Sequence, residues 1–312
     1  MPISINRQKT ENLGSLEFKA KQEVEGFITG LHKSPYHGFS VEFAEHRAYN
    51  KGESTRHIDW KLYAKTEKFY VKKYDEETNL RCQIIIDSSS SMYFPDNPDY
   101  DNDRFDKIGF SVYAAAALVN LMHKQRDAVG VSFFDDKIRN HIEAKSNGAH
   151  IHHLYQNLEK LINPDKEQLF NKKSFAISAL HGIAERIHKR SLVIIFSDLM
   201  DNSNDDESIF DALQHLRYYK HDVVLFGVFD SKKEIDLDYE NQPRTFIDRE
   251  TGEKIKLNPI SVKDYYSENM NQYIHDLEVK CGQYQIDFVK CDINEGFHPI
   301  LTQYLIKRQR LY

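Results

Sequence analysis

Apolar positions follow two textures along the chain. From Cys82 onward, short unbroken apolar runs alternate with stretches in which apolar residues recur every three or four positions. The runs are Cys82–Asp87 (CQIIID), Ala128–Phe134, Ser191–Ser197 (SLVIIFS) and Asp222–Phe229. Runs of that length, bounded by polar residues, mark strands buried on both faces of a parallel sheet. The spacing between and after them predicts helices over 104–124, 148–162, 175–189, 207–219, 261–283 and 297–309, with a further strand over 285–290. Lys137–Ala144 reads as an antiparallel edge strand, and Thr245–Leu257, with TGEK between two β-rich arms, reads as a hairpin. Asp103 is expected to cap the 104–124 helix, with Asp106 in its first turn. That helix carries Phe105, Ile108, Phe110, Val112, Ala114 to Ala117, Leu118, Leu121 and Met122, apolar nearly all round. A helix of that kind sits inside a domain. Buried strands alternating with helices predict an α/β fold: an open, doubly wound, mostly parallel sheet with helices on both faces. Ligands of such sheets bind beyond the carboxyl ends of the strands.

The first 80 residues differ. Residues 12–30 suit a short helix, whereas 31–79 are rich in Gly, His, Tyr and charges and lack a 3.6-residue period. Ser40–Phe43, Arg47–Tyr49 and Lys68–Tyr74 read as short strands joined by turns. The expected organisation is a β-rich segment over 1–80 packed on an α/β domain over 81–312, with no internal repeat.

Composition narrows the function classes. The 312 residues carry 42 Lys+Arg against 48 Asp+Glu, a formal charge of -6, which argues against a dedicated nucleic-acid binder. Cys82, Cys281 and Cys291 form an odd set without a CxxC pair, so neither a disulfide framework nor a zinc ribbon is expected. No apolar run has the length of a membrane span. The opening MPISINRQKTENLGSLEF lacks the apolar core of a secretory signal, and the expected setting is cytoplasmic and reducing.

The chemistry gathers at the end of the first buried run. Asp87, Ser89 and Ser91 form D-x-S-x-S, three small oxygen side chains that can converge on one point after a strand. Hard oxygen ligands of low total charge suit a magnesium- or manganese-like ion. Ser197 and Asp198 close a second central strand at the same sheet edge, and between the motif and that strand Ser174 opens the helix KSFAISALHGIAERI, where its hydroxyl is able to face the same point. Serine-rich loops also turn chains and cap helices without any ligand, so the pentapeptide alone is a weak signal. Asp198 strengthens it.

D-x-S-x-S after the first strand resembles the metal-ion-dependent adhesion site of von Willebrand factor A-type domains. Upstream stand Gly38-Phe39-Ser40-Val41-Glu42-Phe43, Arg47-x-Tyr49, Gly52, Arg56-His57-Ile58-Asp59-Trp60, Tyr70-Val71-Lys72 and Glu76-Glu77. With these the chain resembles the family called domain of unknown function 58, whose members join such a segment to a von Willebrand A-like, Rossmann-like domain. The resemblance covers residues 26–200 most closely and the remainder, including the Asp248-x-Glu250-x-Gly252 hairpin, loosely. It implies metal ligation by Ser89, Ser91 and Ser174, with Asp87 and Asp198 close by, often through water. The family more often has Thr and a Gly-rich lead-in where this chain has Lys172-Lys173-Ser174. The adhesion-site logic leaves one coordination position for the Asp or Glu of a protein partner. The resemblance further implies an adaptor working with a MoxR-type AAA+ ATPase in chaperone-like assembly or stress tolerance.

The competing function is a magnesium-dependent phosphoryl-transfer or phosphoesterase enzyme using Asp87. It lacks a P-loop, a nucleophile elbow and the second carboxylate expected where Ser89 stands. A third is a structural subunit without a metal. Arg47, Tyr49, Arg56, Asp59 and Trp60 are candidate docking or regulatory residues, although a lone Trp beside an Arg–Asp pair also serves as a packing anchor. Asp96, Asp99, Asp101 and Asp103 evoke a calcium loop, but Arg104 and Phe110 stand where an EF-hand needs Gly and Glu, so a capping loop is expected. Asp201, Asp205, Asp206, Glu207 and Asp211 complement a helix start. His150, His152 and His153 read as a surface cluster without a further zinc ligand, and Lys307-Arg308-Arg310 as a basic helix end.

Overall fold

The computed structural model describes residues 15–32, 46–48, 60–72, 80–162, 176–199 and 206–311. The chain divides into two compact units, one over Ile28–Asn79 and one over Met1–Phe27 with Leu80–Tyr312. Helix α1 (Ser15–His32) runs from the larger unit into the smaller. In the smaller unit β1 (His46–Ala48) pairs antiparallel with β2 (Tyr70–Lys72), and α2 (Trp60–Thr66) lies between them in sequence. Its seven residues make under two turns, too few to show a helical period in the sequence. Tyr63 stacks on Phe69 at 4.4 Å. The Ser40–Phe43 strand expected from the sequence lies outside the described residues.

The larger unit is built on six strands. They are β3 (Arg81–Asp87), β4 (Ala128–Phe134), β5 (Ile138–Lys145), β6 (Leu192–Ser197), β7 (Asp222–Phe229) and, after the separate hairpin β8 (Arg244–Ile247) and β9 (Lys254–Leu257), β10 (Asp287–Asp292). Their order across the sheet is β10-β7-β6-β3-β4-β5. Only β5, against β4, is antiparallel. Renumbered along the chain, this is the doubly wound order in which successive crossovers run one way from the first strand and then reverse. The reversal falls between β3 and β6, so the crevice at a switch point opens beyond Asp87 and Ser197.

Sequence dictates which face each helix covers. Residues alternate across the pleat, so Ile85, Val193, Ile195, Val223 and Leu225 share one face. They form a buried cluster with Leu180 and Ile183 of α5 (Ala176–Ala184), Leu213 and Leu216 of α6 (Asp206–Tyr218), and Leu277 of α7 (Pro259–Gln283). Helix α3 (Lys107–Lys124) crosses the other face between the sheet, α4 (Gly148–Ile162) and α8 (His298–Leu311). Its four consecutive alanines, Ala114 to Ala117, are fully buried, as an all-round apolar helix requires. Among the described residues no helix is long and apolar enough to cross a membrane.

The start of α3 corrects the sequence reading. Asp106, not Asp103, is the cap: its side chain accepts from Gly109 N at 2.9 Å, and Tyr100 donates to the same oxygen at 3.0 Å. Asp103 instead has φ 54, in the left-handed region that Asp tolerates, and ends a 3₁₀ turn over Tyr100–Asn102. Asp99 holds that loop by accepting from Asn102 and Arg104. The Asp-rich stretch is therefore a loop that Asp99 closes on itself, and its expected role as the cap of α3 falls to Asp106 instead.

Candidate functional site

Strands β3 and β6 run parallel in register, with Ile86 opposite Phe196, and so deliver Asp87 and Ser197 side by side. Ser197 Oγ donates to Asp87 Oδ2 at 2.8 Å, and Ser89 N donates to Asp87 Oδ1 at 2.9 Å. Ser88 continues the ladder, its N and Oγ both donating to Phe134 O. That bond fixes where the chain leaves the sheet. The next residues form a 3₁₀ turn over Ser90–Tyr93, which brings Ser89 Oγ and Ser91 Oγ to 3.0 Å. Asp87, Ser89 and Asp198 are buried, and Ser91 is half-buried. The structure thus brings together four of the five expected metal-site residues. Ser174 lies outside the described residues.

A buried ammonium joins them. Lys107, the first residue of α3, is fully buried, and its Nζ donates to Asp198 Oδ2 at 2.8 Å and to Glu234 Oε1 at 2.5 Å. Burial pulls the Lys107 pKa down, but the Asp198 and Glu234 carboxylates outweigh it and hold the pKa above its ordinary value. Glu234 sits in a short π-helical turn over Ser231–Ile235, capped by Asp230, whose side chain accepts from Lys233 N. The turn is closed from the other side as Asp230 N donates to Glu234 Oε2 at 2.9 Å. Burial, and then the neighbouring Asp198 charge, push the Asp87 carboxyl up to about 7 against the pull of its hydrogen bonds from Ser89 and Ser197.

Asp198 and Glu234 therefore share the Lys107 ammonium, and the Asp87 carboxyl lies close enough to Asp198 to feel its charge. The donor set fits a divalent cation on two counts. Its carboxyl and hydroxyl donors are hard oxygens, the ligand type that magnesium and manganese prefer. Adjacent ligands of an octahedral magnesium ion at about 2.1 Å lie roughly 3.0 Å apart, the spacing of the Ser89 and Ser91 hydroxyls. Among the described residues no group of three His, Cys, Asp or Glu side chains is placed to hold a metal, so a site here depends on hydroxyl ligands.

The hairpin β8–β9 stands beside this edge. Asp248 Oδ1 accepts from the backbone N of Glu250 and Thr251, and Gly252 takes φ 75, which explains the spacing of Asp and Gly in that turn. Between them Arg249 donates to Tyr93 O at 2.9 Å and pairs with Asp96, tying the hairpin tip to the loop that follows Ser91. A cavity of about 550 Å³ lies between the hairpin, the Glu234 turn and α7, and Ser91 forms part of its wall.

Other sequence candidates sort differently. Arg47 lies on β1 and Trp60 opens α2, both in the smaller unit, while Tyr49, Arg56 and Asp59 lie outside the described residues. His150 bonds to Val129 O and His152 faces Glu17 at 3.7 Å, so the histidines do not converge. Lys307 does not simply complement a helix end: it is 8% exposed and is clamped to Asp287 at 2.8 Å and Asp222 at 3.6 Å. Lys107, Glu234 and Arg249 were not singled out by sequence reasoning. Lys107 carries a readable signal, since a cation in the first turn opposes the helix dipole and interrupts an otherwise apolar helix.

Comparison with known proteins places the chain in a family. The model of the family described as "Protein of unknown function DUF58" matches residues 45–272. Uncharacterized proteins of Mycobacterium bovis and Mycobacterium tuberculosis are each 24% identical over 192 residues, covering 62% of this chain. The chain spans 57% of the length of these relatives. Among solved structures, a conserved hypothetical protein, BatB, of Bacteroides thetaiotaomicron superposes with a TM-score of 0.48 at 15% identity, covering 74% of this chain and 99% of that one. An aerotolerance-related membrane protein of Bacteroides fragilis gives 0.47 at 15% identity, covering 72% and 96%.

Proposed function

The chain belongs to the DUF58 family, and from that premise and the geometry at its sheet edge we propose that it is a metal-dependent protein-interaction module. Ser89, Ser91 and Ser174 would hold a magnesium or manganese ion directly, with Asp87 and Asp198 beside it, and the bound ion would supply a Lewis-acidic position for a partner's carboxylate. The observation that carries the reading is the convergence, at the switch point, of two buried carboxyl groups and a hydroxyl pair 3.0 Å apart. The chain's own residues do the positioning. Ser197 and the Ser89 amide fix the Asp87 carboxylate, and Lys107 fixes Asp198.

Burial speaks against Asp87 as a nucleophile. It is 2% exposed, which leaves a substrate phosphorus little approach to its oxygens. Recognition, not turnover, is the chemistry this arrangement favours. The partner that the family resemblance implies is a MoxR-type AAA+ ATPase, with chaperone-like assembly or stress tolerance as the setting, and the proposed location is the cytoplasm.

The test is a pull-down from native extract with wild type and Ser91→Ala, each in Mg²⁺ and in EDTA, read by mass spectrometry. Partners held by wild type in Mg²⁺ but lost in EDTA and in the variant are the expected result. The same partners in all four lanes would overturn the proposal.

A further inference from the structure

The cavity beside the hairpin has a polarity of its own. Its volume, about 550 Å³, lies in the range of about 300–1,000 Å³ typical of ligand sites. Antiparallel pairing sets Phe246 opposite Ile255, and the ladder runs on toward the turn, where Asp248 N donates to Glu253 O at 2.9 Å. Side chains alternate across a strand, so Phe246 and Ile255 share a face with Asp248 and Glu253. All four line the cavity, and that face is therefore apolar along the strands and acidic at the turn. Tyr266 of α7 and Leu237 extend the apolar wall. Ile255 is 60% exposed although it lines the cavity, so the pocket is open on the hairpin side.

The charges around the cavity are unequal. Glu234, Asp248, Glu250 and Glu253 line it against Lys233 and Arg249. Arg249 is already held by Tyr93 O and Asp96, and Glu234 by Lys107. The cation at the far end of the hairpin face, Arg244, is turned to Glu240 and to the Tyr239 ring. Glu253 is exposed, and its carboxylate makes no ion pair among the described residues. The phenols of the wall register the excess. Burial, then the Asp230 and Glu234 charges, push Tyr239 up to about 12, and burial, then Glu234, raise Tyr266. At both rings the carboxylates outweigh the nearby cations, Arg244 at one and Lys107 at the other. We propose that the cavity binds a protein segment in which a large apolar residue adjoins Arg or Lys, the apolar side chain between Phe246, Ile255 and Tyr266 and the cation at the Asp248 and Glu253 end. A segment bearing a carboxylate at that place meets like charge and is excluded. This goes beyond the metal-dependent reading and needs no ion at Ser89 and Ser91.

The experiment uses the full chain in EDTA, so that no divalent ion takes part, with the blocked peptide Gly-Arg-Phe-Arg-Gly and three counterparts. One has Ala for Phe, one has Gln for both Arg, and one has Asp for both Arg. Binding is titrated by saturation-transfer NMR at low salt and millimolar peptide, on wild type, Phe246→Ala and Glu253→Lys. Both substitutions fall on a surface hairpin, and unchanged circular dichroism confirms the fold. The Arg-Phe-Arg peptide is expected to bind about tenfold more tightly than the Ala and Gln peptides, a difference of about 1.4 kcal/mol, and the Asp peptide not to bind. Phe246→Ala should lose the preference for Phe over Ala, and Glu253→Lys the preference for Arg over Gln. No binding of Arg-Phe-Arg, an Asp peptide that binds as well, or variants that keep both preferences would overturn the proposal. An Ala peptide that binds as tightly as Arg-Phe-Arg would reduce the cavity to a charged surface and overturn it too. Partners that ignore EDTA in the pull-down sink the metal-and-carboxylate reading and leave this pocket standing.

Discussion

Replacing Lys107 by Met tests whether the buried ammonium organises the site. The substitution keeps the length and volume of the side chain and removes its charge, leaving Asp198 and Glu234 without the cation they share. Breaking one side of a buried ion pair costs roughly 3–5 kcal/mol, because the remaining charge stays desolvated. Lys107 and Asp198 side chains are 1% and 3% exposed, which places their pair in that regime, while Glu234 at 13% has some access to water. The lower half of the range is therefore expected. At about 2 °C per kcal/mol for a domain of this size, the melting temperature should fall by roughly 6–8 °C in EDTA. The assay is calorimetry on wild type, Lys107→Met and Lys107→Met/Glu234→Gln. The double variant should recover part of the loss, since it removes one of the two orphaned charges. A single variant that melts within 2 °C of wild type would refute the reasoning and show that the ammonium contributes little.

Three further outcomes follow from the fold. A Cβ at Gly130 would meet Ile142 O at 2.4 Å and Gln83 Oε1 at 2.5 Å, so Gly130→Ala should destabilise by about 1–3 kcal/mol in urea unfolding. Asp106→Ala removes the α3 cap and the acceptor for Tyr100, and should cost about 1–2 kcal/mol in the same assay. His221 is buried and its Nδ1 accepts from Ser191 N, and burial lowers its pKa from 6.5. The unfolded chain then binds the proton first, so stability should fall as pH drops below about 6.5, by at most about 1.4 kcal/mol per unit. His221→Asn should flatten that part of the pH profile, and an unchanged slope would count against the assignment.

Much of the larger unit was legible because its strands are buried on both faces and so read as unbroken apolar runs. Cys82–Asp87, Ala128–Phe134, Ser191–Ser197 and Asp222–Phe229 match β3, β4, β6 and β7 to within a residue at each end. The last strand was less legible: β10 is Asp287–Asp292, two residues beyond the expected span, since the half-buried Asp287, Phe288 and Val289 do not form a continuous apolar run. The start of α3 was misplaced because Asp99, Asp101, Asp103 and Asp106 are all competent caps, and only the Tyr100 and Gly109 contacts distinguish Asp106. The D-x-S-x-S motif and Asp198 were readable because the motif and the strand ends lie on the same sheet edge. The rest of the site was not. Lys107 and Glu234 are 127 residues apart and meet only through the packing of α3 against the Glu234 turn, and the cavity depends on where the hairpin folds back onto the Ser91 loop.

The central claim, that this sheet edge holds a divalent cation, is tested most directly by titrating the protein with Mn²⁺ and following free Mn²⁺ by electron paramagnetic resonance. The expected result is one Mn²⁺ bound per wild-type chain, displaced by excess Mg²⁺, and lost in both Ser89→Ala and Asp198→Asn variants that keep their circular dichroism. Free Mn²⁺ that rises one for one with added Mn²⁺ up to millimolar concentration in wild type, or binding that survives both substitutions, would contradict it.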